Sequence, residues 1–202
     1  LELEDDALKP LGSFVHLETL ELTEAVEPKS FDFLAHMPRL RELTLQNLRH
    51  CKDLNFLEQF PRLEKLVLGN YQGTSLGPVA RMKGLTHLSL DDFPNLPDLP
   101  PLASVNSLEN LYLDECPLLK KVDSLRGATR LKFLSLRSCE QLEDLQGLSE
   151  SPVLESVFLH YCESLHDIGP LEALAESIDL SLYDCPALKK ILVRLLGVAR
   201  VA

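Results

Sequence analysis

Residues 131–139 read Leu131-Lys132-Phe133-Leu134-Ser135-Leu136-Arg137-Ser138-Cys139. Leu134 and Leu136 are two apart, so on a strand they point to the same face, and Phe133, Ser135 and Arg137 point to the other. The three-residue step from Leu131 to Leu134 is where the chain turns into that strand. A helix would keep the apolar period near about 3.6, and a three-then-two step breaks it. Beyond the strand, leucines recur at threes: Leu142, Leu145 and Leu148. That run is too short for a long helix. It suits 3-10 turns or short extended segments returning on the opposite side.

The frame L-x-x-L-x-L-x-x-C repeats. Its cleanest copies are Leu108-Leu111-Leu113-Cys116, Leu131-Leu134-Leu136-Cys139 and Leu154-Val157-Leu159-Cys162. Looser copies begin at Leu17, Leu40, Leu63, Leu85 and Ser177. Successive copies start 23 residues apart, except for the 22 between Leu63 and Leu85. Pro97, Pro100 and Pro101 exclude a regular helix from the return segment of the fourth copy. One supersecondary unit per period builds a solenoid, because each unit buries its apolar face only by stacking on the next. From Leu17 to about Ile191 the chain resembles the leucine-rich repeat proteins. The fold expected is an α/β leucine-rich repeat solenoid of about eight coils of 22–23 residues. A parallel sheet would line its concave face, with 3-10 or extended segments on the convex face. Residues 1–202 form one domain on this reading: 1–16 a degenerate first coil, 17–199 eight repeats, 200–202 the start of a further coil or a truncated end. The chain opens in mid-pattern at Leu1-Glu2-Leu3 and reads as a piece of something longer.

The ninth frame position runs Ala25, Leu48, Tyr71, Phe93, Cys116, Cys139, Cys162, Cys185. Where the strand turns away, a small buried residue must satisfy backbone groups between neighbouring coils, and cysteine does so as a small hydrophobe with a weak donor. The first four copies carry larger or purely apolar residues there, so the first half is expected to be less regular. Cys116, Cys139, Cys162 and Cys185 are expected to form a stacked thiol column. Its steps of ~4.8 Å would fall inside the Cα window of a disulfide. Neither end of the chain carries a cysteine cluster of the kind that caps secreted solenoids. The thiols therefore read as buried and reduced, in a cytoplasmic protein. Cys51 lies outside the column.

Charge and motifs exclude several function classes. Lysine and arginine total 20 against 31 acidic residues, a net charge of −11. Nucleic acid calls for a basic footprint, and this surface repels phosphate; an anionic membrane is disfavoured for the same reason. No run approaches the ~18 apolar residues of a transmembrane helix, and no signal peptide is visible. There is no Gly-rich phosphate loop, G-x-S-x-G, H-E-x-x-H or C-x-x-C. Cysteines 23 residues apart along a solenoid make a line rather than the tetrahedron that zinc needs. The six histidines are scattered. The expectation is no catalytic residue, no metal and no cofactor.

A binding surface is expected on the concave face, at the third, fifth, seventh and eighth positions of each frame. Tyr112, Phe133, Phe158, Tyr161 and Tyr183 all fall there in the last four copies, with Arg137 and His160 among them. The first four copies place no aromatic residue on this face. Aromatic residues and arginine are enriched at interface hot spots. Beside them Asp91, Asp92, Asp114 and Glu115 form an acidic strip suited to a basic partner segment. Three readings of the rings stand side by side: an external protein ligand, docking of another domain of the same polypeptide, or stacking that merely stabilises neighbouring strands.

Segments such as LENLYLDECPLLKKV (108–122) and LKFLSLRSCEQLEDL (131–145) are similar to the C-terminal repeats of NLR-type (NACHT or NB-ARC) immune receptors. That resemblance implies a sensor domain of a larger intracellular regulatory or innate-immune receptor, with the nucleotide-binding module outside this chain. Two alternatives are a substrate-recruiting arm of a ubiquitin ligase or bacterial effector, and a secreted structural or adhesive solenoid.

Overall fold

The computed structural model describes residues 8–23, 31–60, 62–174, 177–188 and 200–201. Each copy of the frame gives one strand: β1 (Thr19–Leu22), β2 (Glu42–Leu45), β3 (Lys65–Gly69), β4 (His87–Asp91), β5 (Asn110–Asp114), β6 (Phe133–Arg137), β7 (Ser156–His160) and β8 (Asp179–Tyr183). A short β9 (Arg200–Val201) follows. All pair in parallel and in chain order, in one open sheet. Equivalent frame positions lie directly opposite one another, as with Leu111, Leu134 and Val157. The 3-10 turns expected on the convex side are present, among them Asn55–Gln59, Gly77–Arg81 and Gly169–Leu174. The first described turn, Lys9–Ser13, packs on its counterpart Asp32–His36.

The core is the frame itself. Leu131, Leu134, Leu136, Cys139, Leu142, Leu145 and Leu148 are all fully buried, and neighbouring coils repeat the pattern. Frame positions one, four, six, nine, twelve, fifteen and eighteen therefore point inward. At the twenty-first position (the twentieth in the short 63–84 copy) Met37, Phe60, Met82, Val105 and Ala128 are buried too. Ser151 takes that place in the sixth copy, and its buried Oγ has no hydrogen-bond partner.

The first half is less regular in a specific way. β1 and β2 are four residues long, while β3 to β8 have five each. In the ninth column Leu48, Tyr71 and Phe93 are as buried as Cys116, Cys139 and Cys162 after them; Ala25 lies outside the described residues. The residue missing from the 63–84 copy is lost from the return segment, so the pairing of β3 with β4 keeps its register. No leucine stands at the twelfth position there. The Tyr71 ring instead lies over Gly73, where an added Cβ would meet the Tyr71 hydroxyl oxygen at 2.2 Å.

A second regularity was not visible in the frame. The eighth residue of six successive copies, Asn70, Asp92, Glu115, Ser138, Tyr161 and Asp184, has a positive φ between 49° and 57°. This left-handed residue follows each strand, and its amide continues the ladder to the following coil: Asp92 N donates to Asp114 O, Glu115 N to Arg137 O. Amides at the start of each strand run the opposite way, as Lys132 N does to Glu109 O.

The second frame position, just before each strand, alternates in charge through Glu18, Arg41 and Glu64 and again through Glu109, Lys132 and Glu155, with the uncharged Thr86 between the two runs. Arg41 pairs with Glu64, and Lys132 reaches Glu109 at 2.8 Å. Such exposed pairs contribute little each, but they favour one stacking register over its neighbours.

Candidate binding surface

Parallel, in-register pairing sorts the outward side chains into rows. His87, Asn110, Phe133, Ser156 and Asp179 make the third-position row. Ser89, Tyr112, Ser135, Phe158 and Ser181 make the fifth, and Asp91, Asp114, Arg137, His160 and Tyr183 the seventh. The alternating leucines beneath hold these rows out of the core.

Across the rows the rings meet diagonally. Centroids of His87 and Tyr112 are 5.0 Å apart, Tyr112 and Phe133 4.7 Å, Phe133 and Phe158 5.3 Å. The line continues through His160, 6.1 Å from Phe158, to Tyr183, 5.9 Å from His160, and Tyr161 meets Tyr183 edge-on at 5.1 Å. One continuous line of rings therefore crosses β4 to β8. Tyr112, Phe133 and Phe158 are half-buried, largely by one another, whereas Tyr161 and Tyr183 are 40% and 42% exposed. The His160 Nε2 also bonds the Ser181 hydroxyl at 3.0 Å.

All six aromatic and histidine residues expected at the site are thus brought together. His87, which sequence reasoning left out, heads the line. Its partner Tyr112 is 25 residues away, and only the diagonal geometry of adjacent strands joins a third-position ring to a fifth-position one. Burial, and then the nearby Lys65, push the His87 imidazole below its usual pKa. Arg137 does not sit among the rings as a free cation. Its guanidinium is held by Asp114, 3.1 Å away in the same row.

The acidic strip divides in two. Asp91 and Asp114 stand side by side in the seventh row. Asp92 and Glu115 occupy left-handed eighth positions beyond the strand ends, so they leave the sheet face. They line a cleft of about 260 Å³ at its rim, with Pro94, Pro117, Ser138 and Glu140. The eighth position, that of Tyr161 included, is therefore a rim position and not part of the flat face. Partial burial, and the neighbouring Asp114 and Asp92, raise the pKa of Asp91.

The thiol column is real over three coils. Cys116, Cys139 and Cys162 are fully buried free thiols. Each donates within its own coil, Cys139 to Arg137 O at 3.6 Å and Cys162 to His160 O at 3.6 Å. Cys162 also reaches Leu136 O of the preceding coil at 3.6 Å. Cys185 departs from the expectation: it is only half-buried. Cys51 is half-buried as well, and donates to Asp53 O.

Among the described residues no group of three His, Cys, Asp or Glu side chains is arranged to hold a metal ion. No helix among them is long and apolar enough to cross a membrane.

Comparison with known proteins agrees with this architecture. Residues 49–116 match the family described as R13L1/DRL21 LRRs. The fold is similar to that of internalin C2 from Listeria monocytogenes, with 20% identity and a TM-score of 0.57 over 87% of this chain and 65% of that one. It is also similar to a leucine-rich repeat protein of Leptospira interrogans, with 19% identity and a TM-score of 0.60 over 100% of this chain and 59% of that one. The leucine-rich repeat domain of the type III effector XopL gives 19% identity and a TM-score of 0.62 over 99% and 73% of the two chains. At these identities the likeness is one of fold. The chain spans less than two thirds of the length of the first two. No curated protein matches the sequence.

Proposed function

We propose that this leucine-rich repeat solenoid is a non-catalytic protein-recognition domain of a larger intracellular regulatory protein. It would engage a protein ligand, or another domain of its own polypeptide, through the ring line on the concave face. The observation that carries this reading is the ring line itself: open rings on a rigid sheet supply contact area at low entropic cost, as a hot spot requires. Half of the solenoid lacks such a line, whereas stacking for stability alone would serve every coil equally. Repeat segments resembling those of NLR-type receptors support the finer reading, a sensor domain of an innate-immune receptor. A cytoplasmic location belongs to the same proposal, because a reducing compartment keeps the column thiols free. A second reading, the recruiting arm of a bacterial effector, is favoured by the likeness to the repeat domain of XopL.

The test is a pair of matched double substitutions in the full-length protein. Phe133→Ala with Phe158→Ala should abolish partner capture or deregulate activity. Thr23→Ala with Thr44→Ala, on the ring-free half of the same face, should leave both unchanged. The reverse pattern refutes the site.

A further inference from the structure

The ring line lies among carboxylates. Asp91, Asp92 and Glu115 flank its Tyr112 end, and Asp179 and Asp184 its Tyr183 end. The one permanent cation on β4 to β8, Arg137, is already tied to Asp114. Half-open rings bordered by unneutralised carboxylates are the chemistry that binds a cation. The ring face attracts it through the quadrupole, and the carboxylate holds its hydrogen-bond donors. Arginine suits both at once, because its planar guanidinium stacks on rings and forks onto carboxylates.

We propose that the occupant of this face is an extended, arginine-rich segment of a partner protein, its guanidinium groups lying along the open side of the line from Tyr112 through Phe133 to Phe158 and reaching Asp91 on the sheet face and Asp92 at the rim. The proposal rests on the binding reading above and specifies the partner's chemistry. Its dimensions fit: β4 to β8 span roughly 19 Å, the length of about six extended residues. A second copy of this chain fits poorly, since it would bring the same carboxylates and another −11 charge to the face. Partial burial and then the crowding by Asp114 and Asp92 raise the pKa of Asp91, and an incoming cation relieves that crowding.

The probe is a fluorescein-labelled hexa-arginine peptide, titrated against the full chain by anisotropy, with hexa-citrulline as its uncharged isostere. Hexa-arginine should bind and hexa-citrulline should not. Asp91→Asn with Asp92→Asn should weaken binding about tenfold, the loss expected when two charge-assisted contacts go. Phe133→Ala with Phe158→Ala, which leaves net charge untouched, should weaken it by a similar factor. Phe133→Leu with Phe158→Leu keeps apolar bulk in case the alanine pair unfolds, and it too should lose affinity because the ring faces are gone. Hexa-arginine binding that ignores both ring pairs would be general attraction to an acidic chain and would overturn the proposal. So would no binding to the folded protein. Equal binding of hexa-citrulline, still lost in the ring variants, would overturn the cationic partner while leaving the ring face as a binding site.

Discussion

The Ser138 amide donates to the carbonyl oxygen of His160, 2.9 Å away on the following coil, while the Phe133 amide at the start of the same strand donates back to Glu109 on the preceding one. That alternation belongs to any parallel ladder; what sets Ser138 apart is its left-handed conformation, with a φ of 51°. For an L-residue that conformation costs roughly 1–2 kcal/mol, and least for glycine. Ser138→Val should therefore destabilise the domain by about 1–2 kcal/mol, because a β-branched side chain tolerates positive φ worst. Ser138→Gly should be neutral or stabilising by up to ~1 kcal/mol. Urea melts of both variants decide it, and equal effects would contradict the strain account.

Leu134 and Ser135 are neighbours with opposite fates. Leu134 is fully buried between coils, and Ser135 lies on the open face. Leu134→Ala should cost ~2–5 kcal/mol, the usual range for truncating a core leucine. Ser135→Ala should stay within ~0.5 kcal/mol. Similar costs at the two positions would break the strand assignment.

Ser151 occupies a position that five earlier coils fill with apolar side chains, and its hydroxyl is buried without a partner. Its backbone bonds, Ser151 N to Leu148 O and Leu154 N to Ser151 O, do not depend on the side chain. Ser151→Ala should raise stability by about 1 kcal/mol, by removing the desolvation cost of an unmade hydrogen bond. A drop in the melting midpoint would show that the hydroxyl is satisfied in solution.

The five thiols should separate by reactivity. The neighbouring Cys162 thiol brings the Cys185 pKa down to about 7, and the side chain is half-exposed. Cys185 should be alkylated first. The neighbouring Cys185 thiol, followed by burial, pushes the Cys162 pKa far up; the Cys116 thiol and burial do the same to Cys139. Cys139 and Cys162 should react only once the domain is unfolded, as should the fully buried Cys116. Cys51, raised by burial, should fall between. Timed alkylation followed by peptide mass spectrometry checks the order, and rapid labelling of the buried three would remove the ladder.

Asp91 has a folded pKa above its ordinary value. The fold thus favours its neutral form. That contribution is fully present below the unfolded pKa and is lost as pH rises through the raised folded value. At pH 7 the wild type carries the cost of an ionised Asp91 beside Asp114. Asp91→Asn should therefore be more stable than wild type at pH 7, with the gain fading as pH falls toward about 3.9, the ordinary aspartate range. Thermal melts at the two pH values read the difference, and a gain that grew with acid would reverse the assignment.

Much of the architecture was legible because a solenoid depends on local patterns repeated. The two-residue step of Leu134 and Leu136 set the strand, and the threes at Leu142, Leu145 and Leu148 set the return. The 23-residue period set the stacking. The ring residues were legible because parallel register follows from that period. The division of the acidic strip was not, since nothing in Asp91-Asp92 as letters shows that the second residue takes a positive φ. Asn70 hints at it by type, but Glu115 and Tyr161 do not.

By itself the sequence determined the repeat, the inward leucines and the face on which rings would gather, because each follows from side-chain periodicity along one chain. Tertiary structure alone decided which of those rings touch, that His87 joins them, and that Arg137 is spent on Asp114. It alone decided that Cys185 stands half-open where Cys162 is sealed. Those are contacts between coils, set by the diagonal offset of neighbouring strands and by what covers each coil, and a linear period carries neither.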